Sequence, residues 1–346
     1  MVTLKDLARM CDVSPSTVSN ILNGKSNVSE ETRRRVLDKI EETGYRRNFF
    51  ASSIRRNSTQ IIAVITEDLA QFSTTTIVEF LMARCEDLGY RTVLMNMRMY
   101  DRWQDTWYDD DEKLEQVLHP MLQEMQSIKV DGVVYVAGHD REINCFPRDY
   151  HIPTVIAYGR SGDLRFPSIL IDDEKGGYDV ARYIIGQGHR NIGVITGRED
   201  NLHTIHRLRG FQRALFEAGI PYNPAWVKSG DWEMHAACSA AEELLRDPAL
   251  TVLWAMSDRM AAGVYQYLGT QTAKKVSICG YDDMEFAEFM IPELTTNRLP
   301  LREIGLRAAE EIVRIIDQGM PAAPCERILM PCNLVIRRSV ECLSAS

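Results

Sequence analysis

Residues 2–54 read VTLKDLARMCDVSPSTVSNILNGKSNVSEETRRRVLDKIEETGYRRNFFASSI. Thr3 followed by Asp6 is a capping pattern: the hydroxyl can cap first-turn amides, and the carboxylate sits near the positive helix end. Leu4, Leu7 and Ala8 fall on one helical face, so a first helix is expected over about residues 4–11. Asp12 and Val13 make the turn. Ser14 is a good N-cap, and Pro15 suits the first helical position, where its missing N–H costs nothing. Val18, Ile21 and Leu22 turn inward. Ser16, Thr17, Ser19, Asn20 and Asn23 stay outside, and Gly24 can end the helix. Ser29 caps a third helix with Glu30 and Glu31 in its first turn. Val36, Leu37 and Ile40 form its apolar stripe, and Gly44 stops it. One face anchored in a small core and another carrying short polar groups is what a DNA-recognition helix requires. A three-helix bundle that binds another protein shows the same periodicity.

Charge favours nucleic acid. Residues 1–60 hold eleven Lys or Arg against seven Asp or Glu, a net of +4, whereas the whole chain is −9 and the remainder therefore −13. A basic head on an acidic body is a local nucleic-acid footprint. Arg33, Arg34 and Arg35 fit phosphate contact as well as a solvated helix face. At 346 residues two or three domains are expected. No apolar run reaches the ~18 residues of a membrane helix. The chain opens directly on the capped helix with no signal-peptide pattern, so a cytoplasmic, non-membrane protein is expected. The eight cysteines are scattered without a C-x-x-C, which reads as free thiols.

The strings VSPSTVSNILNG and VSEETRRRV are specific. With Thr3, Asp6, Ala8, Leu22-Asn23, Ile40 and Gly44-Tyr45, they resemble the head of the lactose-repressor/galactose-repressor family of bacterial transcription regulators. The resemblance covers nearly the whole chain. It implies DNA contacts from Thr3, Ser14, Pro15, Ser16, Thr17, Ser19, Asn20, Asn23, Ser29, Thr32, Arg33 and Tyr45. It also implies a short hinge at residues 46–59 that becomes helical on operator DNA and wedges an apolar residue into the minor groove. Asn48, Ala51 and Ile54 match the hinge pattern. Arg47 stands where the family usually has Pro, and Ile54 where it has Leu. A flexible basic linker is the alternative for this stretch.

From residue 60 apolar runs alternate with amphipathic stretches. IIAVIT (61–66), RTVLMNM (91–97), DGVVYVA (131–137), PTVIAY (153–158), SILI (168–171), NIGVITG (191–197), TVLWAM (251–256) and VSICGY (276–281) read as buried strands. A short strand is expected at 226–228. Helices are expected near 75–88, 113–127, 177–187, 208–218, 235–246 and 258–268. This βαβ repetition predicts an α/β sensor with parallel sheets flanked by helices. The strand number calls for two lobes, the periplasmic-binding-protein-like architecture that the family shares. By resemblance the first lobe is residues 60–159 plus 292–322 and the second 160–291 plus 323–340, with 341–346 a tail. The acidic, aromatic stretch YDRWQDTWYDDDE (100–112) reads as a solvated loop.

The segments IDDEKGGYDVARYIIGQGHRNIGVITG (171–197), RLRGFQRAL (207–215) and SGDW (229–232) continue the resemblance, as do SDRMAAGVYQYL (257–268) and PELTTNRLPLREIG (292–305). It implies effector contacts from Glu67, Phe72, Lys175, Arg207, Trp232, Asp258 and Asp282. Arg and Asp suit hydroxyls or an acid group, and Trp a sugar or base face. Core packing for Trp232 and helix capping for Asp258 are the competing structural readings. Lys175 beside Arg207 suggests an acidic or phosphorylated sugar. His203 and His206 lie three apart without a third ligand, so surface or cleft histidines are expected and no metal or cofactor. No leucine heptad tail follows the last strand, so a homodimer on a near-palindromic operator is expected. The leading reading is a repressor answering a sugar-like effector. A regulator of this fold controlled by a protein partner is the second, and an α/β enzyme the third. Against the enzyme, neither a P-loop nor a G-x-S-x-G nucleophile motif occurs.

Overall fold

The first helix begins where its cap closes. Thr3 Oγ1 accepts from Asp6 N at 3.2 Å while Asp6 Oδ2 takes the Thr3 N–H at 3.1 Å, and α1 runs Leu4–Met10. Ser14 Oγ accepts from Thr17 N at 3.1 Å, starting α2, Pro15–Leu22. Ser29 Oγ accepts from Thr32 N at 3.3 Å at the head of α3, Glu30–Thr43, which Gly44 ends in the left-handed conformation. Leu7, Ala8, Cys11, Val18, Ile21 and Val36 form the core, with Tyr45 packed against it. Leu37, expected in that stripe, is 48% exposed. The computed structural model describes residues 2–22, 28–45, 58–108, 110–269 and 275–343. Asn23, Asn48, Ala51 and Ile54 lie outside them. The chain divides into two compact units, Met1–Thr59 and Gln60–Ser346.

In the second unit, strands alternate with helices, and the central strands are buried on both faces. The order is β1 (Ile61–Thr66), α4 (Phe72–Asp87), β2 (Arg91–Asn96), α5 (Asp111–Ser127), β3 (Gly132–Val136), β4 (Thr154–Ala157) and β5 (Ser168–Ile171). Then come α6 (Asp173–Gly186), β6 (Ile192–Thr196), α7 (Leu202–Glu217), β7 (Val227–Ser229), α8 (Met234–Leu244), β8 (Val252–Ala255), α9 (Asp258–Gly269) and β9 (Ser277–Cys279). The chain closes with β10 (Thr296–Arg298), α10 (Leu301–Gln318), β11 (Arg327–Met330) and β12 (Asn333–Val335).

The first lobe is a parallel sheet in the order β11-β5-β4-β3-β1-β2, and the second a parallel sheet in the order β9-β8-β6-β7. In β1, Ile62 and Val64 join the core beneath α4 and α10, while Ala63 and Ile65 pack on the opposite face with Leu114 and Leu118 of α5. That two-sided burial explains the uninterrupted apolar strands.

Two boundaries differ from the sequence-based expectation. Ser168–Ile171 and Arg327–Met330 were expected in the second lobe, but they pair with each other and extend the first lobe's sheet, Ser168 opposite Arg327 through Ile171 opposite Met330. The chain thus leaves the first lobe after Ile171, and residues 327–330 return to it. Helix α10 packs on α4. The stretch 100–112 is also not a simple loop. Trp107 is 1% exposed, in the core beneath α5, and Asp110 caps α5 by accepting from Lys113 N at 3.2 Å.

Candidate functional site

In the head, the start of α2 gathers short hydroxyls. Ser14 Oγ lies 2.7 Å from Ser16 Oγ and 2.8 Å from Thr17 Oγ1. Ser14, Pro15 and Ser16 are exposed, and Thr17, Ser19 and Asn20 are half-buried on the same helix. Thr3 and Ser29 are exposed caps, and Thr32 and Arg33 begin α3 half-buried. Val18 and Ile21, buried on the other face, fix the helix so that this polar face stays outward.

In the sensor, the chemistry collects at the carboxyl ends of the strands, where open α/β sheets place ligands. Helices α6 and α7 cross closely because two positions lack side chains. A Cβ on Gly177 would stand 2.2 Å from Arg207 O, and one on Gly210 1.9 Å from Glu174 O. That approach sets Asp173 against Arg207. Arg207 Nε donates to Asp173 Oδ1 at 2.6 Å and Nη1 to Met256 O at 2.5 Å. Its guanidinium lies 3.8 Å over the Tyr281 ring and 5.6 Å from that of Trp232. Although burial pushes the Asp173 carboxyl up, Arg207 and His203 bring it down to about 2.

His203 touches both lobes. Its Nε2 accepts from Asp140 N, in the loop after β3, at 3.0 Å, so Nδ1 carries the hydrogen toward Asp173 Oδ2 at 2.6 Å. Asp140 is forked by Arg160, whose Nε donates at 2.8 Å and whose Nη2 reaches the other oxygen. Arg160 Nη2 also lies 3.4 Å from His206 Nε2. Beside them, burial and the Arg141 charge hold the His139 imidazole down to about 3, leaving it neutral. Its ring packs edge-on against Tyr108 at 4.5 Å.

The other residues expected to contact an effector sit as follows. Glu67 is fully buried, and its carboxylate is taken by Tyr135 Oη at 2.6 Å, Gly138 N at 2.7 Å and Arg141 Nη2 at 2.5 Å. Lys175 pairs along α6 with Asp179 and is half exposed, so it does not join Arg207. Arg207 sits in the second turn of α7 rather than opening it, because Asn201 caps the helix earlier. It has a structural partner in Asp173. Asp258 is fully buried and takes Met284 N at 2.7 Å and the Thr296 hydroxyl at 2.6 Å. Burial pushes its carboxyl up to about 7. Asp282, with its oxygen 3.8 Å from Arg207 Nη1, is also held above the usual carboxylate range by burial. Trp232 lies across Gly197, and Phe72 opens α4 at 46% exposure.

Tyr158, Trp232 and Asp282 all have positive φ, at 65°, 60° and 112°. Other described non-glycine residues, among them Asp12, Gln60, Lys129 and Leu164, also have positive φ. Sequence reasoning missed Asp140, Arg141, Tyr158, Arg160 and Asp173. The doubled Asp172-Asp173 at the start of α6 was the one local signal among them.

The description "Periplasmic binding proteins and sugar binding domain of LacI family" matches residues 58–338, and "Bacterial regulatory proteins, lacI family" matches residues 3–48. The chain belongs to the LacI family. Among LacI-family relatives, it is 29% identical over 352 residues to the HTH-type transcriptional repressor PurR of Vibrio parahaemolyticus, covering 99% of this chain and 100% of that one. Catabolite control protein A of Priestia megaterium is 28% identical over 327 residues, covering 92% and 93%. The Lac repressor dimer bound to operator and the anti-inducer ONPF shares the fold, with TM-score 0.77 at 22% identity, covering 98% of this chain and 99% of that one.

Proposed function

We infer that this chain is a dimeric transcriptional repressor whose hold on a near-palindromic operator is set by a small sugar-like effector bound between the lobes of its sensor. One observation carries the reading. A capped helix-turn-helix with an outward polar face shares a chain with a two-lobed sheet protein whose strand ends collect buried, oriented polar groups. Pro15, Ser16 and Asn20 are assigned to base discrimination, with Thr17 beside them on the same helix. Thr3, Ser14, Ser19, Ser29, Thr32, Arg33 and Tyr45 are assigned to positioning on the backbone, since most protein–DNA hydrogen bonds serve register. Asn23, Asn48, Ala51 and Ile54 keep their sequence-based assignment to DNA. Two heads, as in the Lac repressor dimer on its operator, suit paired half-sites, and the protein works in the cytoplasm, where the genome is.

In the sensor, Asp140, Arg160, His203, Arg207, Trp232 and Asp282 frame the effector site. Ligand shifts operator affinity by stabilising one lobe arrangement over another, and by no more than its differential affinity for the two. The test is selection of duplexes from a random pool by the purified full chain, followed by sequencing. Enrichment of one near-palindrome supports the reading. Absence of any enriched sequence contradicts it.

A further inference from the structure

Each described guanidinium at the strand ends of the sensor already has a carboxylate. Arg141 holds buried Glu67 at 2.5 Å, Arg160 forks Asp140, Arg207 holds Asp173 at 2.6 Å, and Arg198 holds Asp200 at 2.7 Å. Lys175, the further cation expected from sequence, is turned along its own helix to Asp179. Further carboxyls lie there, among them Asp258, which takes Met284 N and the Thr296 hydroxyl. Asp282 stands 3.8 Å from Arg207, which is already matched. Asp68 takes Tyr100 N at 2.9 Å and has its carboxyl pushed up to about 6 by burial. The strand ends are therefore close to charge-balanced, although four arginines stand there.

Hydrogen-bond donors, by contrast, are unspent beside the Glu67–Arg141 pair. Trp107 Nε1 and Arg141 Nε are buried with no acceptor among the described residues. The two side chains are in contact, with Arg141 Cζ 5.0 Å over the Trp107 ring. A buried donor without an acceptor carries a desolvation penalty that an incoming oxygen relieves.

We propose that the Glu67–Arg141 and Asp140–Arg160 pairs are a charge filter, so that the cleft takes an uncharged, oxygen-rich ring compound and refuses its phosphorylated form. The proposal rests on the reading of the cleft as the effector site. A phosphate entering there loses its hydration and finds each arginine already matched by a carboxylate. A hydroxyl, ether or carbonyl oxygen has no charge to desolvate and can accept from the unspent donors. The proposal therefore favours the neutral form over the acidic effector suggested by Lys175 and Arg207 in the sequence, since Arg207 is matched by Asp173 and Lys175 turns to Asp179.

The test uses the full chain, its Asp140→Asn and Glu67→Gln variants, and inorganic phosphate and sulfate as probes, with chloride matched for ionic strength. Glucose against glucose 6-phosphate and ribose against ribose 5-phosphate form the paired arms. Thermal midpoints and equilibrium dialysis are read, with circular dichroism to confirm folding. The filter predicts that the wild type shows no phosphate or sulfate binding beyond chloride, and no sugar phosphate bound more tightly than its parent sugar. At least one folded variant gains anion affinity by about tenfold or more. Wild-type binding of phosphate, or of either sugar phosphate above its parent, overturns the proposal. So do folded variants that gain nothing. Should both variants fail to fold, the wild-type arms decide alone. Loss of operator selection with these anion results intact would sink the repressor reading and leave the filter standing.

Discussion

His203 Nε2, on α7 of the second lobe, accepts the backbone N–H of Asp140 from the first lobe at 3.0 Å, while Nδ1 faces Asp173 at 2.6 Å. One imidazole thus ties the lobes together and helps orient the acid that holds Arg207. His203→Ala leaves a buried amide and one carboxylate oxygen without partners. Unmet buried groups cost ~1–3 kcal/mol each. The sensor should lose about 2–3 kcal/mol in urea denaturation, with faster proteolysis in the 138–141 loop. Unchanged stability would show that the contact contributes nothing.

The Arg207–Asp173 pair is buried on both sides. Removing one partner of such a pair strands a charge and costs roughly 3–5 kcal/mol. Arg207→Ala should therefore be among the most damaging single changes in the sensor. The loss should be smaller at acid pH. Asp173 is held low in the native protein, to about 2, so its pairing stabilises above the unfolded value and fades only as pH falls toward 2. Without Arg207, burial raises this carboxyl and a proton can relieve it. Denaturation of the variant at two pH values checks the sign.

Asp258 behaves oppositely. Its carboxyl is pushed up to about 7 by burial, so the native protein keeps a proton that the unfolded chain releases near pH 4. Its contribution is fully present below about pH 4 and is lost as pH rises to about 7, at up to ~1.4 kcal/mol per pH unit. Asp68, pushed up to about 6, adds in the same direction. Asp258→Asn should flatten the fall in thermal midpoint between pH 5 and pH 7.5, because the amide cannot ionise and Thr296 can rotate its hydroxyl to suit. An equally steep fall in the variant would remove Asp258 as the cause.

Asn20 lies on the polar face of α2. A bidentate Asn–adenine contact is worth about 1–3 kcal/mol of discrimination. Asn20→Ala should weaken binding to the selected duplex by that amount and relax one base position. Uniform weakening across all duplexes would mark a phosphate contact instead.

The head was readable because its signals are local. Thr3, Ser14 and Ser29 each cap within three residues, and the apolar spacing needs no distant partner. The strands were readable because both faces are buried, so a simple apolar run suffices. Lobe membership of 168–171 and 327–330 was not, since β5 and β11 pair across more than 150 residues and nothing local names the partner. The positions of the candidate residues were legible, and their partners were not. Arg207, Trp232 and Asp282 gather, while Glu67 is held in a clamp of protein groups and Lys175 bonds along its helix. Side-chain direction depends on neighbours such as Tyr135, Gly138 and Asp179. Asp140 lies in a loop and Arg160 in a two-residue strand, neither with a sequence pattern, and their pairing emerges only when β3 and β4 align.

The central claim is that the basic head reads sequence and the sensor governs how tightly. The most direct measurement is the dissociation constant of the full chain for its selected near-palindromic duplex and for a scrambled one, at one fixed salt concentration, with and without the cell's small-molecule pool. The account predicts a preference of about a thousandfold or more for the selected duplex and a shift of about 5–150-fold on adding the pool. Equal, weak affinity for both duplexes, unmoved by any metabolite fraction, would contradict it.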